Sequence, residues 1–219
     1  RPTVRPNCVR WPSDQHCAPK PEMGRAPRFT ADQLLDAALE ITLAKGPAAV
    51  SMTAVAASVG APSGSMYHRF ANRDELMAQL WLRTITDFQA GLLEALEHPD
   101  TALAADACLD HVFGWTDAHP ELARLMLLYS ASDIAADWPD TLAVTLHAAN
   151  HGVRDALVEF TQRHFGNTER ESVDRTVYAL IDLPYAAVRR HLPNGRPRPW
   201  LRTFTYNAAH RALALTKAT

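Results

Sequence analysis

The chain has 219 residues, 47% of them hydrophobic and 21% charged, enough apolar material for one large domain or a small one fused to a larger. No apolar stretch reaches the roughly 20 residues of a membrane span and no basic-apolar-small leader opens the chain, so the expectation is a cytoplasmic protein with no membrane partner. The net charge of −2 hides a polarity: residues 1–73 hold 9 Lys and Arg against 5 Asp and Glu, and the remainder holds 13 against 19, which suits a polyanionic partner at one end only.

The cysteines, Cys8, Cys17 and Cys108, are odd in number and unclustered, and read as neither a disulfide framework nor a metal site. There is no G-x-S-x-G, no H-E-x-x-H, and the Gly/Ser-rich run from Gly60 to Ser65 lacks the lysine of a phosphate loop. The expectation is a protein that is not an enzyme and carries no cofactor.

Residues 1–28 contain six prolines and no Leu, Ile or Phe, and read as a disordered basic arm, with Met23 an alternative native start. From Thr30 onward the apolar period is helical and no alternating run competes, so the fold class is all-α. Thr30-Ala31-Asp32-Gln33 is a capping box opening a first helix with core face Leu34, Leu35, Ala38 and Ile41, ended by Gly46-Pro47. A short second helix runs from its cap Ser51 to Val59, with Met52, Val55 and Val59 on one side. Gly60 turns the chain, and Pro62 suits the first position of a third helix reaching about Arg69. Asn72-Arg73-Asp74-Glu75 caps a long fourth helix to about Glu97.

Pro and Gly punctuation then divides the remainder into helices at about 101–117, 120–130, 139–165, 168–191 and 199–216. Two carry near-heptad stripes: Leu142, Leu146, Ala149, Val153, Leu157 and Phe160 in one, and Trp200, Phe204, Ala208, Arg211 and Leu215 in the other. Pro184 interrupts an apolar helical run and should kink it, a break that proteins often place beside a cavity.

Two short helices joined at Gly60 behind a supporting helix describe a helix-turn-helix, whose second helix enters the major groove. Gly64 removes a Cβ where a helix must approach a sugar-phosphate backbone, and Ser63, Ser65 and Tyr67 offer hydroxyls beside it. Ser51 and Thr53, opening the preceding helix, join the candidate contacts. Met66 and Phe70 should face the core. His68 is the candidate base-edge reader, and Arg25 and Arg28 on the arm reach for phosphates or the minor groove.

The run from Ser51 to Phe70, with Gly60, Gly64, Tyr67 and Phe70 in register and Arg73-Asp74-Glu75-Leu76 behind it, closely resembles the signature of the TetR family of bacterial transcriptional regulators. The resemblance is specific over about residues 30–80; beyond them it is architectural, through helix number and phrases such as His119-Pro120-Glu121-Leu122. It implies that Tyr67 and Arg73 touch phosphates, the latter at a helix amino terminus where dipole and guanidinium act together. It also implies a helix-turn-helix DNA-binding domain at 29–75 and a helical ligand-binding and dimerisation domain at 76–219. The last two long helices would form a four-helix bundle with their mates in a homodimer, which reading two half-sites about 34 Å apart requires in any case. The function implied is a repressor that a largely apolar small molecule releases from double-stranded operator DNA. The sequence departs from the family pattern at Ser63, where a basic residue is usual, and at Ala54 and Ala57, which replace residues that are often charged.

The ligand pocket is expected among helices four to eight, with Trp81, Phe88, His111, Trp115, Tyr129, His147, Asn150, Tyr178, Asp182 and Tyr185 as candidate lining, because small-molecule sites combine apolar walls with a few polar fixers. Plainer readings stand beside these: an aromatic at helical spacing serves as core, Tyr67 as packing, and Arg25, Arg28 and Arg73 as solvated charges. His147 and His151 share a helical face without a third ligand, so no metal is assigned. A helical carrier or interaction protein is the rival function, and what separates it from a DNA reader is whether Gly64, Tyr67 and Arg73 share one exposed face.

Overall fold

The computed structural model describes residues 29–128, 140–192 and 198–214, and among them every regular element is helical. Arg25, Arg28, Tyr129 and Leu215 lie outside the described residues. Helix α1 (Ala31–Lys45) begins at its capping box: the Gln33 amide donates to Thr30 Oγ1 at 3.2 Å and the Thr30 amide to Gln33 Oε1 at 2.9 Å. Gly46, at φ +82°, turns the chain out of the helix, and a short 3-10 turn at Pro47–Ala49 leads to α2 (Met52–Ser58).

Helix α3 (Ser63–Met66) is shorter than the sequence suggests, since the chain passes into turns at Tyr67 instead of continuing to Arg69. Pro62 is its cap and not its first helical residue. Helix α4 (Arg73–Leu96) starts where the Glu75 amide donates to Asn72 Oδ1 at 2.8 Å. Its 24 residues make a rod of about 36 Å. Helices α5 (Thr101–Ala118), α6 (Pro120–Leu128) and α7 (Asp140–Phe165) fall close to their expected places.

The run expected at 168–191 is divided. Helix α8 (Arg170–Val177) passes into a π turn at Tyr178–Asp182 and then α9 (Leu183–His191). Pro184 has no amide to return to the preceding turn, and the chain accommodates it by widening one turn, with the Leu183 amide donating to the Tyr178 carbonyl. Helix α10 (Pro199–Ala214) closes the described chain.

The amino-terminal core joins Leu34, Leu35 and Ala38 of α1, Met52 and Val55 of α2, Met66 and Phe70, Leu76 and Leu80 of α4, and Leu125 of α6. A second core packs the far half of α4, through Leu92 and Leu96, against Cys108, Leu109, Leu157, Phe160, Leu180 and Ala209. Burial pushes the Cys108 thiol up to about 12, which keeps it protonated and unreactive. Helices α5 and α10 are also tied by polar contacts: Tyr206 donates to Asp110, and His210 pairs with Asp106 at 2.7 Å.

Helices α4 and α5 cross at Gly91, over which the His111 ring lies while its Nε2 meets the Phe88 carbonyl at 2.7 Å. A Cβ at residue 91 would come within 2.6 Å of His111 Nδ1, whereas one at Gly152 on α7 would meet open space. Overpacking costs about 1–3 kcal/mol, against a helix-propensity gain of about 1 kcal/mol for replacing Gly by Ala. Gly91→Ala should therefore lower the thermal midpoint and Gly152→Ala should raise it, as scanning calorimetry of the two variants would show.

Candidate nucleic-acid interface and internal cavity

The turn between α2 and α3 is built by backbone hydrogen bonds. The Ala61 amide reaches the Ala56 carbonyl at 2.8 Å and the Gly60 amide the Ala57 carbonyl at 3.2 Å, the paired bonds of a Schellman cap, with Gly60 at φ +69°. Ala61 packs on the amino-terminal core, which fixes the angle at which α3 leaves. The Ser65 hydroxyl donates to the Pro62 carbonyl at 2.7 Å and closes the first turn of α3.

Burial then sorts the residues of this segment. Met66 and Phe70 are fully buried, as expected, and Ser63, Gly64, Tyr67 and His68 are exposed on the opposite side, with Tyr67 58% exposed. No heavy atom lies within 4 Å of the position a Gly64 Cβ would take, so the surface there is open to an approaching backbone. Ser51 is the α2 cap, accepting from the Ala54 amide at 3.1 Å and bonded to the exposed Thr53 hydroxyl at 3.1 Å.

Arg73 does not join that face as a solvated cation. Its Nε donates to the Val50 carbonyl at 2.8 Å and its Nη2 to the Pro47 carbonyl at 2.7 Å, with Nη1 on Asp74 at 3.1 Å. The guanidinium clamps the loop between α1 and α2 to the start of α4, so the expected grouping of Gly64, Tyr67 and Arg73 holds only for the first two. Arg69, half-buried beside His68, is the cation the sequence reading passed over; its guanidinium makes no hydrogen bond or ion pair among the described residues. Its signal was its place, directly after the exposed Tyr67-His68 pair.

A cavity of about 520 Å³ lies in the helical body, walled by α4, α5, α6, α7, α8, the π turn and α9. Five expected residues line it: Trp81, Phe88, Trp115, Asn150 and Tyr185. Four described candidates do not. The His111 ring is occupied over Gly91. His147 follows the inward Leu146 on α7 and is exposed. Tyr178 and Asp182, at the ends of the π turn, face outward while Ala179 and Leu180 between them are buried.

The sequence reading missed Gln89, Thr116 and Arg154 on the wall. Gln89 is 8% exposed, and its Nε2 donates to Asn150 Oδ1 at 2.9 Å. It was detectable as the polar interruption in the stripe Ile85, Phe88, Gln89, Leu92. Aromatic contacts join the wall to the α4–α5 crossing: Phe88 lies 5.2 Å from the Trp115 ring, whose Nε1 donates to Asp87 at 3.0 Å.

A supporting helix, a short helix, a glycine turn and a second short helix with a small, hydroxyl-rich outer face define a helix-turn-helix DNA-binding protein. Residues 34–80 match the family model described as bacterial regulatory proteins, tetR family, and the fold extends the match. A tetR-family transcription regulator from Shewanella sp. PV-4 superposes with a TM-score of 0.64 at 19% identity, over 85% of this chain and 96% of that one. The regulator PfmR from Thermus thermophilus gives 0.63 at 19%, over 84% and 98%. The fatty acid degradation regulator FadR from Bacillus halodurans gives 0.63 at 15%, over 86% and 100%. No curated protein matches the chain. Residues 34–80 thus match a tetR-family DNA-binding domain, and the chain has the fold of the tetR-family regulators.

Arg73→Ala should cost about 1–3 kcal/mol of stability, because it strands the Val50 carbonyl and leaves the Pro47 carbonyl with only the Val50 amide. A lowered thermal midpoint measured in the absence of DNA would establish this structural role; an unchanged midpoint would return Arg73 to the solvent.

Proposed function

We propose that the protein is a homodimeric repressor, released from its operator when a small molecule enters the internal cavity. The observation that carries this reading is helix α6. Its Leu125 is fully buried in the amino-terminal core, while Ala123, Met126 and Leu127 line the cavity wall. A nine-residue helix held between the two transmits a change in cavity occupancy to the elements that hold α3.

On this reading residues 29–75 are the DNA-binding domain and 76–219 the sensing and dimerising one, although Leu125 completes the core of the first. The exposed side of α3, with Ser63, Gly64, Tyr67 and His68, faces the major groove, and Ser51, Thr53, Ser65 and Arg69 flank it. Tyr67 donates to a phosphate and His68 reads a base edge. Arg25 and Arg28 contribute from the arm.

Tyr67→Phe should weaken binding to duplex DNA from the protein's own promoter region by about 10- to 100-fold, the worth of one hydrogen bond to a charged group. Its thermal midpoint should stay unchanged, because the hydroxyl is in solvent. Arg69→Ala should reduce the slope of log affinity against log salt by about 1. Fluorescence anisotropy across a salt series measures both, and equal affinity of the parent protein for promoter and random duplex would count against the regulator itself.

The stripe of α10 supports the dimer. Thr205, Ala209 and Leu213 are its buried side, whereas Trp200 is 58% and Phe204 62% exposed, with Tyr185 of α9 49% exposed. Large aromatics in such numbers on helices already packed on their other side mark an association surface. The double variant Trp200→Asp, Phe204→Asp should sediment as a monomer where the parent sediments as a dimer, and should lose operator affinity.

A further inference from the structure

We propose that the cavity takes an uncharged, largely apolar molecule bearing one hydroxyl or carboxamide, and that the Gln89–Asn150 pair holds that group. The proposal rests on the ligand-responsive reading above and names the ligand class it requires. Three observations on the wall carry it.

The first is charge. Among the described lining residues none is acidic, and Arg154 is the one charged side chain, exposed at the solvent edge. A cationic ligand would find no carboxylate among these residues to receive it. An anion would find its counter-ion only at the rim, where solvent screens the attraction.

The second is the apolar lining. Ile85, Phe88, Leu92, Val112, Leu157 and Val177 form a wall suited to hydrocarbon or aromatic bulk. Thr116 adds little to it, because its hydroxyl already donates to the Val112 carbonyl at 2.7 Å.

The third is Gln89. Its side chain is more than nine-tenths buried on the cavity wall, one end of the amide bonds Asn150, and Oε1 has no hydrogen-bond partner among the described residues. A buried polar atom of this kind is costly unless something satisfies it, and a ligand group at that point gains the bond without competing for it. If both amides are turned over, the available atom of Gln89 becomes a donor. A hydroxyl or a carboxamide serves either arrangement, since each both donates and accepts.

The test uses the full chain and four probes of equal length: 1-octanol, 1-chlorooctane, octanoate and octylammonium, titrated while tryptophan fluorescence is followed, since Trp81 and Trp115 line the wall. Octanol should bind about tenfold tighter than either ion, a difference of about 1.4 kcal/mol. In Gln89→Leu, octanol should weaken about tenfold while chlorooctane stays equal or tightens, and the variant should melt no lower than the parent because it removes an unpaired buried oxygen and leaves the exposed Asn150 to water. If octanol and chlorooctane respond alike to Gln89→Leu, the assigned hydrogen bond is wrong although the cavity still binds ligands. If octanoate binds tightest and Arg154→Ala abolishes its advantage, the ligand is an acid and the proposal fails. If no probe gives saturable binding in protein that still binds DNA, the ligand-responsive reading fails with it.

Discussion

A helix of four residues has no stability of its own, because one turn fixes several dihedrals for very few hydrogen bonds. Helix α3 is such a helix, and it persists because Met66 and Phe70 are anchored in a core to which α1, α2, α4 and α6 all contribute. The outer face of α3 is therefore one side of a packed object whose other side belongs to the rest of the protein. Leu34 and Val55 hold it from the amino-terminal elements, and Leu76, Leu80 and Leu125 from the helical body. This dependence makes a division of the chain at residue 75 a boundary of roles more than of packing.

Charge does little in this part of the molecule. Residues 29–80 contain Lys45, Arg69 and Arg73 against Asp32, Asp36, Glu40, Asp74 and Glu75, and Arg73 is spent on backbone carbonyls. Asp32 and Asp36 are partly offset by Arg83 of α4, at 3.5 and 2.7 Å, on an exposed surface where such pairs contribute little to stability. The basic excess of residues 1–73 resides mainly in residues 1–28, at Arg1, Arg5, Arg10, Lys20, Arg25 and Arg28. On the proposed reading the neutral hydroxyls and open backbone around Gly64 set geometry, and the arm supplies most of the attraction.

What the sequence made legible was local. The Thr30 box, the Ser51 and Asn72 caps and the turns at Gly46 and Gly60 depend on residues within a few positions of each other, and each stands where expected. The interruption at Pro184 was legible too, though not its form. Partners far along the chain were not. The Arg73 guanidinium meets carbonyls 23 and 26 residues away, and nothing in Asn72-Arg73-Asp74-Glu75 announces them. The near-heptad stripe of α10 begins with Trp200 and Phe204, yet these are exposed, and the side of the helix that meets the body is set by Thr205, Ala209 and Leu213, which a hydrophobic period ranks below them. Tyr178 and Asp182 were misplaced because a π turn adds a residue, and a helical wheel drawn at 3.6 residues per turn loses register there.

The proposed coupling has a physical character that follows from where its contacts lie. A ligand shifts a two-state equilibrium only by its difference in affinity for the two states, so the wall it touches must itself differ between them. Helix α6 satisfies this through buried apolar contacts, Leu125 toward α1 and α4 and Met126 and Leu127 toward the cavity. The ion pairs between α1 and α4, by contrast, are exposed and weak. On the proposed reading transmission is therefore steric, and close packing makes such a contact switch between arrangements instead of yielding gradually. Salt screens the arm's attraction for phosphates but leaves packed methyl and methylene groups untouched. On the proposed reading, affinity for DNA and responsiveness to ligand thus rest on different forces, and ionic strength acts on the first while leaving the second in place.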